Sequence, residues 1–162
     1  MTNPLLDFSG LPRFDAIQPE HIGPAIDTLL AAAEAAVAQA ERVAPLNWDS
    51  FVAPLDDATE RLWRAWGQVN HLQGVVNTPA LREAYNANLP KVTRFSSALG
   101  QNLALFAQYR ALAATPEAAG YDAARRKVLD NALRDFRLGG AELGDADKQR
   151  FAAIQEELSA LS

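Results

Sequence analysis

The apolar side chains of this sequence recur every three or four residues over several long stretches, a spacing typical of amphipathic helices. Three stretches keep this spacing for several turns: residues 22–40, 48–76 and 81–106. Most prolines and glycines fall near their boundaries, where they favour turns. The sequence therefore predicts an all-α fold, an irregular antiparallel helical bundle of about four to six helices, in a single domain over residues 1–162.

Three prolines fall inside or close to the long helical stretches. Pro19 suits the first position of a helix. Pro24 follows only five residues later, too soon for a regular helix that starts at Pro19, so we expect a short turn or a break there. Pro54 is expected to kink the second helix or to split off one turn, and Pro90 to bend the third midway. The long helices are thus predicted to be bent by proline.

Polar residues and glycines predict where helices begin and end. Asn47, Thr78 and Asp122 suit N-cap positions. In the stretch D-N-A-L-R-D-F-R-L-G-G, the final Gly139 and Gly140 are expected to supply the positive φ angles that end a helix. Asp145 is expected to cap a last amphipathic helix whose apolar spacing covers residues 149–161, and because no C-cap or breaker follows it, we expect residues 149–162 to be a truncated last helix.

The termini and the charge narrow the class of protein. Residues 1–18 have no helical period but carry apolar side chains, which predicts an arm docked onto the domain. The start lacks the basic and apolar regions of a signal peptide, and no apolar run is long enough to span a bilayer. A net charge of −5 argues against a nucleic-acid partner. We expect a soluble, cytoplasmic protein with neither a nucleic-acid nor a membrane partner.

The sequence offers no catalytic constellation. A zinc peptidase of the H-E-x-x-H type needs two histidines four residues apart, whereas His21 and His71 are the two histidines here and lie fifty residues apart. We interpret His21 as solvent-facing or capping and His71 as half-buried and hydrogen-bonded. With no cysteine there is neither a thiolate nucleophile nor a disulfide. We predict no catalytic residue, no cofactor-binding residue and no metal ligand in this chain.

Two further groups of side chains have unremarkable interpretations. Trp63 and Trp66 follow the helical period of the apolar positions, so we interpret them as core rather than as a ligand-stacking platform. Asp56, Asp57 and Glu60 cluster near one turn, and we interpret these carboxylates as hydrated surface.

Three blocks of sequence, in this order along the chain, resemble the N-terminal region of the thimet-oligopeptidase-type zinc metallopeptidases, the oligopeptidase A group in particular. They are P-E-H-I-x-P-A-I, H-L-x-x-V-x-N-T-P-x-L-R-E-A-Y-N-x-x-L-P and N-A-L-R-D-F-x-L-x-G. The resemblance implies a cytoplasmic zinc endopeptidase that degrades short peptides in a channel between two mostly helical lobes. This chain would be a non-catalytic helical domain forming part of the channel wall.

The same resemblance implies where the chemistry lies. Zinc, its ligands and the general base would belong to a C-terminal catalytic domain that this chain lacks, so the chain alone would need no cofactor and would not be an enzyme. Its partners would be that catalytic domain and short peptides. An alternative remains open, a self-standing helical protein-interaction module that binds a partner helix through its aromatic and aliphatic faces. A reading frame that continues past codon 162 into H-E-x-x-H would favour the first interpretation, and a stop codon the second.

Overall fold

The structure, a computed structural model, describes residues 3–161, apart from the side chains at positions 159 and 160. All regular structure in this range is helical, which confirms the predicted all-α fold. Two 3-10 turns, Pro4–Leu6 and Phe14–Ala16, precede the first α-helix. A π-helical turn, Trp48–Val52, lies between the first and the second α-helix. The α-helices are α1 (Pro19–Ala40), α2 (Ala53–Val75), α3 (Pro79–Gly100), α4 (Leu103–Ala113), α5 (Pro116–Ala119), α6 (Ala123–Leu138) and α7 (Asp145–Leu161).

Side-chain caps fix many of these helix starts. At each one a side-chain oxygen accepts a hydrogen bond from a backbone N–H of the first turn, which would otherwise lack a partner. The predicted N-caps at Asn47, Thr78 and Asp122 are confirmed. Asn102 caps α4 and Thr115 caps α5 in the same way.

Substitution of the N-cap of α6 tests how much such a cap contributes. In Asp122 the carboxylate Oδ1 accepts a hydrogen bond from the Arg125 N–H at 2.8 Å. Asp122→Ala leaves that donor without its partner and is expected to lower the free energy of unfolding by about 1 kcal/mol, measured by urea denaturation. Asp122→Asn keeps an acceptor oxygen and should remain close to the unsubstituted protein. Equal losses in both variants would show that charge, not capping, matters here.

Pro24 does not break α1, so the expected interruption was wrong. The helix runs continuously from Pro19 to Ala40 with Pro24 inside it. A proline removes one helical hydrogen bond, but its neighbours Ile22, Ala25 and Ile26 are fully buried in the core. Packing of these side chains therefore outweighs the lost bond.

Pro54 acts as expected, because the π-helical turn Trp48–Val52 is split off before α2 begins at Ala53. Pro90 lies inside α3 without interrupting it.

The third helix ends earlier than its apolar spacing indicated. It stops at Gly100, and Leu103 and Phe106, expected on the same helix, belong to α4 instead. The Asn102 side chain accepts a hydrogen bond from the Leu105 N–H at 3.0 Å and starts the new helix. The glycine and this cap together outweigh a continuous apolar spacing.

Only one of the paired glycines after α6 has a positive φ angle. Gly140 has φ of 90°. Gly139 has φ of −73°, an ordinary helical value, so its predicted conformation was wrong. A side chain at Gly139 would instead collide with the backbone at Gly100, the last residue of α3. Gly139 therefore permits a close approach of two helix ends.

Two adjoining groups of buried apolar side chains form the core. The first lies among α1, α2 and α3, and the second among α4, α6, the π-helical turn and the end of α1. Val37 and Leu99 pack against both groups. The prolines and caps thus divide a long helical pattern into segments that surround one extended core.

The N-terminal residues are buried at some positions and open at others. Leu5 and Ile17 belong to the first core group, and Phe8 packs against it. The Asn3 Nδ2 donates to the carbonyl oxygen of His21 at 2.7 Å. Leu11, between these contacts, is exposed. The Arg64 Nη2 of α2 also donates a hydrogen bond to the Gly10 carbonyl oxygen, so the arm contacts the domain at its middle as well as at its two ends.

The last helix begins at Asp145, which is its first residue rather than the N-cap before it, and packs against α3. Its apolar face is largely open: the exposed fraction rises from 45% at Ile154 to 55% at Leu158 and 79% at Leu161. Across residues 3–161, no helix is both long and apolar enough to cross a membrane.

Candidate functional site

The two histidines occupy different surroundings. His21 Nδ1 accepts a hydrogen bond from the Gln18 N–H at 3.0 Å, which confirms the capping interpretation. His71 is exposed, with its ring centroid 5.1 Å from that of Phe14, so the half-buried interpretation was wrong. The adjacent Leu72 points into the core, which turns His71 towards solvent and the N-terminal arm.

A zinc centre does not fit the described part of the chain. Between residues 3 and 161, no group of three or more His, Cys, Asp or Glu side chains is placed to hold a metal ion. Catalytic zinc sites use three protein ligands.

The tryptophans that the sequence assigned to the core are packed against aromatic neighbours. The Trp63 and Phe95 ring centroids are 5.9 Å apart, and Trp66 is stacked on Tyr85 with centroids 4.9 Å apart. Both tryptophans are partly buried against the first core group. Trp63 also has an open side, which lines the cavity described below.

A groove runs between α1 and α3 and has a volume of about 660 Å³. Its floor is apolar, and charged side chains border it. The Lys91 Nζ lies 2.6 Å from the Asp27 Oδ1 and 3.1 Å from the Asn88 Oδ1. These groups satisfy one another, so the charges in this part of the groove are already compensated.

A second space, which we call the Asp56 cavity, lies among α2, α3, α4 and α6 and has a volume of about 400 Å³. It lies where the two core groups meet, and Gly100, which lies close to Gly139, is part of its lining. Its lining consists of Leu55, Asp56, Thr59, Trp63, Ser96, Leu99, Gly100, Leu105, Tyr109, Ala132, Asp135 and Phe136.

Two titratable groups of this cavity lack partners among residues 3–161. Asp56 lies in the first turn of α2. Its carboxylate makes no hydrogen bond and no ion pair with the described residues. Asp56 is open to solvent on one side, and the atoms packed on its other side raise the pKa of its carboxyl by desolvation. The Tyr109 hydroxyl also has no hydrogen-bond partner, in a residue only 5% exposed.

The third titratable group, Asp135, is compensated. Its Oδ1 lies 2.7 Å from the Arg134 Nη2. Burial raises the pKa of Tyr109, and the negative charge of Asp56 raises it further, because both disfavour the phenolate. The cavity therefore combines one uncompensated carboxylate with one neutral, unpartnered hydroxyl.

The sequence interpretation of Asp56, Asp57 and Glu60 as hydrated surface carboxylates is confirmed, because all three residues are exposed, although Asp56 also lines the cavity. Asp57 is exposed and paired with Arg61 at 3.0 Å. Asp56 shares a helix face with Trp63, seven residues on, a signal that was readable in the sequence. The position of Tyr109 beside them, from α4, had no local signal.

Comparisons with known proteins bear on the whole chain. The family described as "Neurolysin/Thimet oligopeptidase, N-terminal domain" matches residues 26–148. Oligopeptidase A of Haemophilus influenzae is 40% identical over 162 residues, which is 100% of this chain and 24% of that protein. Oligopeptidase A of Escherichia coli is 40% identical over 165 residues, 99% of this chain and 24% of that protein.

A plant protein gives the same picture. The probable cytosolic oligopeptidase A of Arabidopsis thaliana is 32% identical over 161 residues, 99% of this chain and 23% of that protein. The chain thus spans about a quarter of the length of these relatives. The family resemblance inferred from the three sequence blocks is confirmed. The chain belongs to the oligopeptidase A group of the neurolysin and thimet oligopeptidase family, and it corresponds to the N-terminal domain of that family.

Proposed function

We propose that this chain is the non-catalytic N-terminal helical domain of a longer, cytoplasmic zinc metalloendopeptidase that degrades short peptides, and that it forms part of the wall of the substrate channel. The observation that carries the proposal is similarity over the whole chain to oligopeptidases about four times as long, together with the match of a family N-terminal domain to residues 26–148. In this proposal zinc, its ligands and the general base belong to the catalytic domain, and that domain and short peptides are the partners.

The described surface supports a role in positioning peptides rather than in cleaving them. The groove between α1 and α3 and the Asp56 cavity are both open to solvent and lined by a mixture of apolar and polar side chains. Binding sites for small ligands commonly have this composition and a volume of about 300–1,000 Å³. Within residues 3–161, neither space combines a nucleophile with a base that is hydrogen-bonded to it.

Assays of peptide hydrolysis test whether the catalytic activity belongs to the downstream domain and not to this chain. The 162-residue chain alone is expected to leave a quenched fluorescent oligopeptide intact, whereas the protein extended by its downstream coding sequence should cleave it. A chelator should abolish that cleavage and added zinc should restore it, because the metal activates the attacking water. Chelator-sensitive cleavage by the 162-residue chain would contradict the proposal. A stop codon directly after codon 162 would contradict the proposal and favour the alternative, a self-standing helical protein-interaction module.

The wall role needs a separate measurement. An oligopeptide carrying a photoreactive benzophenone group, bound to a catalytically inactive form of the extended protein, is expected to cross-link to residues within 3–161. An unlabelled peptide in excess should suppress these cross-links. Cross-links confined to the downstream part of the protein would rule out the wall role while leaving the family assignment untouched.

A further inference from the structure

The Asp56 cavity contains two polar groups that the fold does not use. The Asp56 carboxylate comes from α2 and the Tyr109 hydroxyl from α4, and neither makes a hydrogen bond within residues 3–161. Tyr109 is almost completely buried, so its ring is held in one place by Phe51 and Phe136, with centroids 4.7 and 5.7 Å away. The Tyr109 hydroxyl oxygen and the Asp56 carboxylate both remain in contact with solvent, so both are accessible to a ligand in the cavity.

The charge of the cavity selects the sign of a ligand. Among the described residues, no lysine, arginine or histidine lines the cavity, and the charge of Asp135 is already compensated by Arg134. Asp56 therefore contributes an uncompensated negative charge at the open side of the cavity. An anion would be repelled, and a cation would be attracted.

The hydrogen-bond acceptors and aromatic side chains of the lining favour a primary ammonium group over other cations. A carboxylate only accepts hydrogen bonds, and a phenol oxygen can accept them too, so the ligand must supply donors in more than one direction. A primary ammonium group carries three donors on one compact atom, whereas a guanidinium is planar and tends to fork onto a single carboxylate. Trp63 and Phe136 add aromatic faces, which attract cations, and the remaining apolar lining suits a methylene or peptide stem.

From this arrangement we propose that the Asp56 cavity binds the primary ammonium group of a peptide, with Asp56 as its counter-ion and the Tyr109 oxygen as a second acceptor. The choice of a peptide as the carrier of the ammonium group rests on the proposed function, but the preference for the ammonium group does not. Either a peptide amino terminus or a lysine side chain carries this group. The cavity would hold one charged end of a peptide while the rest extends along the surface.

Four short peptides separate these sources. They are tri-alanine amide with a free amino terminus, the same peptide acetylated, and two acetylated peptides with central lysine or norleucine. Each is titrated into the ¹⁵N-labelled 162-residue chain, and binding is followed through the backbone amide resonances of residues 55–63 and 105–109. We expect at least one charged peptide to bind about tenfold more tightly than its neutral counterpart, since the two differ by one charge-assisted contact.

Substitutions then test the named groups. Asp56→Asn keeps the size of the side chain and is expected to abolish the preference for the charged peptide. Tyr109→Phe keeps the ring and should weaken binding about threefold, a smaller effect because only one hydrogen bond is lost. Asp57→Asn is the matched control, because it removes an adjacent exposed carboxylate that is paired with Arg61 and lies outside the cavity, and it should leave binding unchanged.

Three results would overturn the inference: charged and neutral peptides binding equally, no binding of any peptide, or an unchanged preference in Asp56→Asn. The comparison of charged with neutral peptides uses the unsubstituted chain, so it tests the preference for an ammonium group even if a variant folds poorly. Failure here would leave the cross-linking test of the channel wall unaffected, because that test reports proximity of any part of a peptide. The two proposals can therefore fail independently.

Discussion

Leu62→Ala is expected to lower the free energy of unfolding by about 2–5 kcal/mol, the largest single effect we predict for this protein. Leu62 lies in the middle of α2, is 0% exposed and belongs to the core group shared by α1, α2 and α3. Truncation removes buried methyl groups and leaves a cavity that the surrounding helices cannot fully close, because protein interiors are closely packed. A domain of this size has a total stability of about 5–15 kcal/mol, so the loss would be a large fraction.

The measurement is urea denaturation followed by far-UV circular dichroism, with Leu11→Ala as the matched control. Leu11 is 90% exposed in the N-terminal arm, so the same chemical change there should alter stability by less than about 0.5 kcal/mol. The midpoint should shift in Leu62→Ala without a change in the dependence on urea. Similar losses in the two variants would mean that α2 does not hold the core together in solution.

Local signals in the sequence predicted the helix starts well. Thr78 and Asp122 cap helices with their own side chains, and the partner of each is a backbone N–H three residues away. Such an interaction depends on residues that are close in the sequence, so it can be recognised without knowledge of the tertiary structure. The split of one turn before Pro54 follows from the same kind of local constraint.

The wrong predictions concern positions where distant residues decide. Pro24 was expected to break α1, but the burial of its neighbours Ile22 and Ile26 against other helices maintains it. His71 was expected to be half-buried, but although Phe14 of the N-terminal arm packs beside it, the histidine remains exposed. In each case the local pattern fits several environments, and only the packing of the whole chain selects one.

In the candidate site, too, some positions could be predicted from local spacing, and others depend on tertiary packing. The spacing of Asp56 and Trp63 on α2 was readable, because residues seven apart lie on one side of a helix. Tyr109 reaches the same cavity from α4, whose start at Leu103 was not predicted, because the apolar spacing continues across Gly100. The cavity therefore could not be assembled from the sequence even though each of its side chains was visible there.

Gly139→Ala is expected to lower the free energy of unfolding by about 1–3 kcal/mol through a collision between helix ends. A Cβ atom on Gly139 would lie 2.9 Å from the Gly100 carbonyl oxygen and 3.1 Å from the Gly100 Cα. Both are backbone atoms, which cannot rotate away as the end of a side chain could. The φ of −73° suits alanine, so the effect would be steric and not a consequence of backbone strain.

Gly100→Ala is the matched control, since it adds the same methyl group at the other side of the same contact. The nearest atom to a Cβ there is the Gly139 Cα at 3.6 Å, an ordinary van der Waals distance. Because alanine also favours a helix over glycine by up to about 1 kcal/mol, this variant should be neutral or slightly more stable. Equal effects of the two substitutions in urea denaturation would contradict a tight approach on the Gly139 side.

The contact also ties stability to the cavity. Gly100 from α3 and Phe136 from α6 both line the Asp56 cavity, so a wider separation of these helices in Gly139→Ala would move one wall away from Asp56 and Tyr109. Hydrogen bonds weaken steeply once donor and acceptor are displaced, so the preference for a charged peptide should fall in this variant although no polar group is removed. Gly100→Ala should keep that preference. A Gly139→Ala protein that is less stable but binds ammonium peptides normally would show that the closely packed glycines support the fold without shaping the cavity.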